Sequence, residues 1–234
     1  MADQFFRTGI AGIDRVGIDA GLRAHFQRVF TYMGGGLALT GLVAFVVATT
    51  PALASVIFGT PLKWVAMLAP LAFIMYMNIR MQSLSSSTLK TLFWVFCGTM
   101  GLSMASIFMV FTNESIARAF FITSATFGAM SLWGYTTKKD LTSMGSFLMM
   151  GVLGLLIASV VNLFMASSGL QWVVSIAGVA IFTGLTAFQV QQIKFTYAES
   201  AGQEANDKLA VFGALSLYLN FINAFQFLLE LTGG

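Results

Sequence analysis

Long runs of apolar residues alternate with short polar segments along almost the whole chain. A helix rises about 1.5 Å per residue, so about 20 apolar residues cross a hydrocarbon core of about 30 Å. Seven runs come close to or exceed that length, and they predict an all-α membrane protein with seven transmembrane helices. The predicted spans are residues 30–50, 55–79, 91–111, 116–135, 146–166, 171–190 and 209–231.

The second run is the weakest of the seven. Pro61, Lys63 and Pro70 interrupt its apolar pattern. Proline inside a membrane helix is tolerated where neighbouring helices satisfy the freed carbonyl groups, so we expect this run to cross the membrane as well.

Basic side chains collect on one side of the predicted bundle. Of the 12 Lys and Arg residues, ten lie before the first span or in the loops after the second, fourth and sixth spans. Only Lys63 and Arg118 lie on the other side. Because positive residues stay in the cytoplasm, the amino terminus is predicted to be cytoplasmic and the carboxyl terminus to lie outside.

The residues before the first span are polar and rich in arginine. We expect 1–29 to be a cytoplasmic segment and 30–234 to be the seven-helix membrane domain. Ile13 to Phe30 fits two structures, an amphipathic helix on the inner membrane surface or an ordinary lead-in to the first span. The longest loop is expected at Gln191 to Asp207, as a mobile cytoplasmic connection.

Small residues recur at helical spacing in two of the spans. Such stripes let helix backbones approach closely in lipid, where no hydrophobic force drives helices together. We therefore expect these faces to pack against other helices. The residues are Gly36, Thr40, Ala44 and Ala48 in the first span, and Ala177, Ala180, Gly184 and Ala187 in the sixth.

The composition leaves no room for a separate soluble domain. Hydrophobic residues make up 57% of the 234 residues and charged residues 9%, whereas a soluble domain carries about 25% charged residues. The net charge of +3 is spread over several cytoplasmic segments, so it indicates membrane orientation and not nucleic-acid binding. The lipid bilayer is the expected environment.

The sequence offers no constellation for catalysis. The single histidine, His25, lies before the first span, which argues against a Ser–His dyad within the membrane. None of the nine acidic residues falls near the middle of a predicted span, and no His or Cys spacing suits a zinc site. The single cysteine, Cys97, is expected to be a small buried hydrophobe. We therefore predict that the protein is not an enzyme and holds no cofactor.

A few polar side chains lie within or at the ends of the spans. Arg80 closes the second span, Gln189 lies near the end of the sixth, and Asn220 and Asn223 lie inside the seventh. These groups have two interpretations. They hydrogen-bond between helices, typically for about 0.6–2 kcal/mol each, or they form a polar plug or ion-contact site in the cytoplasmic half of a pore.

Four motifs follow one another in the second half of the chain. They are IARAFFITSATFG (Ile116 to Gly128), SLWGYTTKKDL (Ser131 to Leu141), AFQVQQIK (Ala187 to Lys194) and ALSLYLNFIN (Ala214 to Asn223). Together they resemble the Bax inhibitor-1 family, the transmembrane Bax inhibitor motif proteins, and in particular its bacterial members. The resemblance extends from about residue 20 to the end of the chain.

The resemblance implies a fold and an activity. The fold is a central helix enclosed by two groups of three, and members resemble calcium leak channels whose opening responds to pH. In that pattern, two aspartates of the sixth and last spans share a proton near an arginine of the second span, because adjacent carboxylates cannot both ionise cheaply. A bacterial-type member is expected in the inner membrane.

The chain departs from that pattern at the pair itself. Gln189 and Asn220 occupy the aspartate positions, and Arg80 is the best match for the arginine. Amides keep the hydrogen bonding but do not titrate, and they offer a divalent cation no negative charge. We expect the family architecture without its pH gate, with calcium or another cation as the permeant ion. The alternative is a non-conducting regulator that binds membrane proteases or stress-response proteins.

Overall fold

A computed structural model describes residues 2–81, 83–198 and 202–233, with side chains from residue 20 onward. Within those residues there are eight α-helices and no β-strand. All except the short α2 are long and apolar enough to cross a membrane, which confirms the all-α, seven-span prediction. The helices are α1 (Ala2–Thr49), α2 (Pro51–Phe58), α3 (Leu62–Arg80), α4 (Ser86–Val110), α5 (Asn113–Thr136), α6 (Thr142–Met165), α7 (Ser168–Thr196) and α8 (Gly202–Thr232).

The first helix continues without a break from the amino-terminal segment into the first span. Leu22, Phe26 and Val29 are buried in the main core, because they recur on one face at a spacing of three and four residues. From residue 20 onward the helix is therefore part of the bundle and does not turn onto the membrane surface at residue 30. The side chains of 13–19, the rest of the amphipathic stretch, lie outside the described residues.

The second apolar run is divided between two helices. α2 begins at Pro51, where a missing N–H is tolerated in the first turn, and it ends before Gly59. Pro61 then precedes α3, and Pro70 is buried inside that helix. The crossing helix is thus α3, which starts later than the predicted residue 55 because Gly59 and Pro61 interrupt the helix.

The last two helices are longer than the hydropathy pattern predicts. α7 extends to Thr196 and α8 begins at Gly202, so most of the expected loop from Gln191 to Asp207 is helical. Gly202 has a φ of +81°, in the left-handed region that favours glycine. The loop prediction was wrong because the polar residues at these helix ends find partners on other helices, and local hydropathy cannot show such partners.

The centre of the bundle is α8. Helices α1, α4, α5 and α7 pack against it, and 61% of its most apolar stretch is buried. α3 packs on α4 and α6 packs on α7, so these two helices lie on the flanks. The expected central helix is the last span, and its direct neighbours are four helices rather than two complete groups of three.

Small residues permit the closest helix contacts. Gly36 of the first-span stripe lies against Phe93 and Cys97 of α4. A Cβ atom at Gly134 would overlap the carbonyl oxygen of Ala187, so α5 and α7 touch backbone to backbone at this level. Both stripes therefore include residues that lie at helix contacts, which is how close approach in a membrane is achieved.

Candidate functional site

A three-way ion pair joins α1, α4 and α8 at the end of the bundle where most lysines and arginines lie, hereafter the basic end. Asp207 of α8 accepts hydrogen bonds from Arg28 of α1 and from Lys90 of α4, the latter at 2.7 Å between Nζ and Oδ2. The aspartate side chain is only 14% exposed. Because two cations meet one carboxylate here, the pairing fixes the position of α8 between the other two helices.

Glu204 makes the second link between α8 and α4. Its carboxylate accepts from the backbone N–H and from the hydroxyl of Ser86, each at 2.7 Å. Ser86 is the first residue of α4, where unpaired N–H groups and the helix dipole favour an anion. Glu204 therefore caps a neighbouring helix. Neither link is visible in the sequence, where both acids fall in an expected loop.

Two of the sequence motifs meet at the basic end. Gln191 Oε1 accepts from the backbone N–H of Leu141 and Gln191 Nε2 donates to the carbonyl of Lys139, both at 2.8 Å. Lys194 Nζ donates to the carbonyl of Tyr135 at 3.0 Å. The end of α7 thus holds the connection between α5 and α6, which gives the motifs a structural role.

Asp140 lies in that connection and outside the spans. Its carboxylate accepts a hydrogen bond from the backbone N–H of Thr142 at 2.9 Å. Hydrogen bonding by the Thr142 side chain and backbone lowers the pKa of Asp140 below its ordinary value. The side chain caps the first turn of α6.

His25 is an unexpected member of the basic end. Its ring is fully buried, and neither ring nitrogen has a hydrogen-bond partner among the described residues. The ring lies 5.2 Å from that of Tyr197, measured between centroids. The sequence places His25 before the first span, and only the continuity of α1 with the bundle buries it.

Nearer the middle of the bundle, Thr40 joins α1, α4 and α8. Its Oγ1 lies 2.9 Å from the carbonyl oxygen of Cys97 and 2.6 Å from the Tyr218 hydroxyl. A carbonyl can only accept, so the threonine proton goes to Cys97 and the tyrosine donates to Thr40. The sequence shows Thr40 only as one small residue of a packing stripe.

Asn220 follows Tyr218 by two residues and is one of the predicted site residues. The residue is 6% exposed, and its Nδ2 atom has no hydrogen-bond partner in the described part of the chain. An unmet buried donor costs about 1–3 kcal/mol, a deficit that a water molecule can remove. Asn223 differs, because its Nδ2 donates to the Leu219 carbonyl of its own helix at 2.7 Å.

Gln189 lies on α7, which runs antiparallel to α8. Ile193 of α7 lies against Gly213 of α8, which sets the register of the pair. Counting from that level at about 1.5 Å per residue, Gln189 lies about 6 Å and Asn220 about 10 Å deeper in the bundle. Gln189 is half-buried and makes no side-chain hydrogen bond to a described residue.

A small cavity lies between α5, α7 and α8, and Ala224 and Leu228 of α8 line it one to two helical turns beyond Asn220. Its volume is about 30 Å³, and a buried water needs about 10–15 Å³ measured in this way. Thr123 Oγ1 lines it without a hydrogen-bond partner among the described residues. The threonines that surround the cavity are Thr123, Thr126, Thr183 and Thr186. The space and its hydroxyl groups suit bound water.

Arg80 stands apart from the other predicted site residues. It is the exposed last residue of α3, which packs on α4 at the flank of the bundle. Within the described residues it forms no ion pair and no side-chain hydrogen bond. The structure therefore brings Gln189 and Asn220 to one helix pair and leaves Arg80 on the flank of the bundle.

Comparison with known proteins agrees with this architecture. The family described as "Inhibitor of apoptosis-promoting Bax1" matches residues 22–234. A protein of Caulobacter vibrioides is 42% identical over 227 residues, covering 93% of this chain and 91% of that protein. The inner membrane protein YbhL of Escherichia coli is 38% identical over 217 residues, covering 92% of this chain and 93% of that protein.

These matches and the fold point to the same family. The matched residues 22–234 include all four sequence motifs and the crossing helices. The relatives align over nearly their whole length, so the likeness is not confined to one helix or motif. The chain belongs to the Bax inhibitor-1 family and is a multi-pass inner-membrane protein.

Proposed function

We propose that this protein is a calcium-leak-type cation channel in which Gln189 and Asn220 replace the usual pH-sensing aspartate pair. The observation that supports the proposal is that two polar groups in the middle of the bundle have no hydrogen-bond partner among the described residues. Asn220 Nδ2 and Thr123 Oγ1 are buried without partners among the described residues, and Thr123 lines a water-sized cavity. Polar groups inside a membrane are expensive, and they are typical of ion and water pathways.

The basic end is where we place the closed gate of this channel. Asp207 holds α8 to α1 and α4, and Glu204 adds a second tie between α8 and α4. Any movement of α8 relative to these helices breaks charge-assisted hydrogen bonds, which are about twice as strong as neutral ones. Opening therefore requires release of both carboxylates, which then become available to attract a cation.

The amide pair determines how such a channel treats calcium and protons. Calcium prefers carboxylates among its oxygen ligands, and amide oxygens bring no charge. Because Gln189 and Asn220 do not titrate, this pair gives the channel no response to pH. We expect a weak, pH-independent leak.

Calcium efflux from liposomes that contain the purified protein, measured at pH 6, 7 and 8, tests the proposal. Equal flux at the three pH values is the expected result. Flux that changes with pH would show that other groups sense protons, and His25, Glu230 and the acids of the basic end would be examined next. No flux at any pH would contradict conduction.

Restoring the carboxylates tests the amide pair directly. We expect the double variant Gln189→Asp, Asn220→Asp to gain a pH-dependent flux, because two nearby carboxylates share a proton. Asn223→Asp is the matched control, one turn away on the same helix, and should leave the flux independent of pH. If the double variant changes neither the flux nor its pH response, the pair is not part of the pathway.

A non-conducting regulator of other membrane proteins is the second candidate. Its support is the pairing of Asp207 and Glu204, which leaves neither carboxylate free to attract a cation. Absence of flux, together with co-purification of a membrane protease or stress-response protein with the intact chain, would favour this function.

A further inference from the structure

A groove of about 880 Å³ opens between α1 and α5 near the basic end. We call it the α1–α5 groove. Its volume lies in the upper part of the range of about 300–1,000 Å³ that is typical of ligand sites. Its lining includes Arg23, Gln27, Phe30 and Thr31 of α1, with Ser131 and Leu132 of α5.

Ser131 gives the groove an unmet hydrogen-bond donor. The residue is 8% exposed, and its Oγ atom has no hydrogen-bond partner in the part of the chain that the structure describes. A serine in a helix often bonds to a carbonyl one turn earlier, and this one does not. The buried hydroxyl can therefore donate a hydrogen bond to an acceptor on a molecule that occupies the groove.

The α1 wall carries a polar stripe. Arg23, Gln27 and Thr31 follow one another every four residues, so a guanidinium, an amide and a hydroxyl share one exposed face. Arg23 forms no ion pair with any residue whose side chain is described. The planar guanidinium fork matches the geometry of a phosphate group.

The rest of the groove is apolar and open to the side. Leu132 is 65% exposed on the membrane-crossing surface of α5, and Phe30 lines the opposite wall. A second, almost wholly apolar groove of about 330 Å³ lies farther along the same two helices, with Leu37 and Phe121 in its walls. The two helices thus offer polar groups near the basic end and apolar surface beyond them.

We propose that the α1–α5 groove binds an anionic phospholipid of the adjacent leaflet. The phosphate lies at Arg23, an ester carbonyl accepts the hydrogen bond of Ser131, and an acyl chain passes Phe30 and Leu132. A free phosphate ion would engage Arg23 but leave the buried hydroxyl and the apolar wall unused. The site does not depend on whether the protein conducts ions.

Native mass spectrometry of the full chain tests the site, with phosphatidylglycerol and phosphatidylcholine of identical acyl chains as probes. We expect the parent protein to retain phosphatidylglycerol preferentially. Arg23→Gln should lower that preference about fivefold, the contribution of one basic side chain at a membrane surface, and Arg23→Lys should keep most of it. Ser131→Ala should reduce retention of both lipids equally, since both carry ester carbonyls.

Two further variants keep the result interpretable. Arg118→Gln, an exposed arginine at the opposite end of the bundle, is the charge control and should match the parent. Leu132→Trp fills the groove from an exposed position and should lower retention of both lipids even if another variant folds poorly. An unchanged preference in Arg23→Gln, an equal loss in Arg118→Gln, or displacement of the lipid by inorganic phosphate would overturn the proposal.

Discussion

Two acids of the basic end and two buried polar residues in the middle of the bundle differ in whether they have hydrogen-bond partners. At the basic end, Asp207 and Glu204 have well-defined partners on neighbouring helices. In the middle, Asn220 and Thr123 are buried with donors that no described residue satisfies. The two acids hold helices together, whereas Asn220 and Thr123 are unpartnered polar residues at positions where packing alone would favour apolar side chains.

This difference separates stability from function within one helix, because α8 carries both Asp207 and Asn220. Removing a paired group should weaken the fold, since its partners are left unsatisfied. Removing an unmet group should weaken the fold only if water or an ion had been its partner.

The largest effect is expected from Asp207→Asn. This change should lower the free energy of unfolding by about 2–3 kcal/mol, below the 3–5 kcal/mol of fully buried pairs, because Arg28 is 40% exposed. It should also raise calcium leak by loosening α8. Denaturant unfolding in detergent measures the first and liposome efflux the second.

Glu114→Gln is the control for that variant, because Glu114 pairs with Arg118 in an exposed helical turn. Such a pair contributes about 0.3–0.5 kcal/mol. If Asp207→Asn proves no more costly than Glu114→Gln, the ion pair at the basic end does not hold the helices.

The two hydrogen bonds of Thr40 predict that removing the threonine hydroxyl costs more stability than removing the tyrosine hydroxyl. Thr40→Val leaves the buried Tyr218 hydroxyl without an acceptor and should cost about 1–2 kcal/mol. Tyr218→Phe removes only a donor to an oxygen that is still bonded to Cys97, and should cost less than about 1 kcal/mol. Thermal unfolding of both variants measures the difference, and the reverse order would contradict the proton assignment.

Thr123→Val tests whether the threonine-lined cavity contains water. If the cavity contains water, the change removes a hydrogen bond and should lower the free energy of unfolding by about 1 kcal/mol. It should also reduce calcium efflux. Thr136→Val on the same helix is the control, because its hydroxyl already donates to the Leu132 carbonyl. A more stable Thr123→Val protein would indicate a dry cavity and count against the conduction route.

The smallest effect concerns acid stability. The pKa of Asp140 is lower in the folded protein because Thr142 hydrogen-bonds to its carboxylate. Its contribution is present above the ordinary aspartate pKa of about 3.9 and is lost as pH falls through the lowered value. Asp140→Ala should therefore flatten the decline in unfolding temperature as pH falls below about 4. A slope equal to that of the parent protein would exclude this contribution.

The span count and the family were predictable because both rest on local sequence. An apolar run of sufficient length must cross the bilayer whatever its neighbours are, and the motifs are contiguous. The helix ends were less predictable. Gln191 extends α7 beyond its apolar run because the backbone of the α5–α6 connection satisfies its amide, and that partner is about 50 residues away in the chain.

The residues of the candidate site also differ in whether the sequence reveals them. Asn220 is visible in the sequence as an amide inside an apolar run. Asp207 and His25 are not, since they lie in segments that hydropathy assigns to the cytoplasm. Asp207 acquires its importance from Arg28, which is 179 positions away in the chain.

The sequence by itself determined seven spans and the family, because both depend on residue identity or on short-range pattern. Only the tertiary structure decided that α8 is central, that Arg80 lies on the flank, and that the basic end is ionically tied. The physical reason is that hydropathy measures transfer of one segment into lipid. Helix packing, ion pairs and unmet donors depend on which distant segments share a surface.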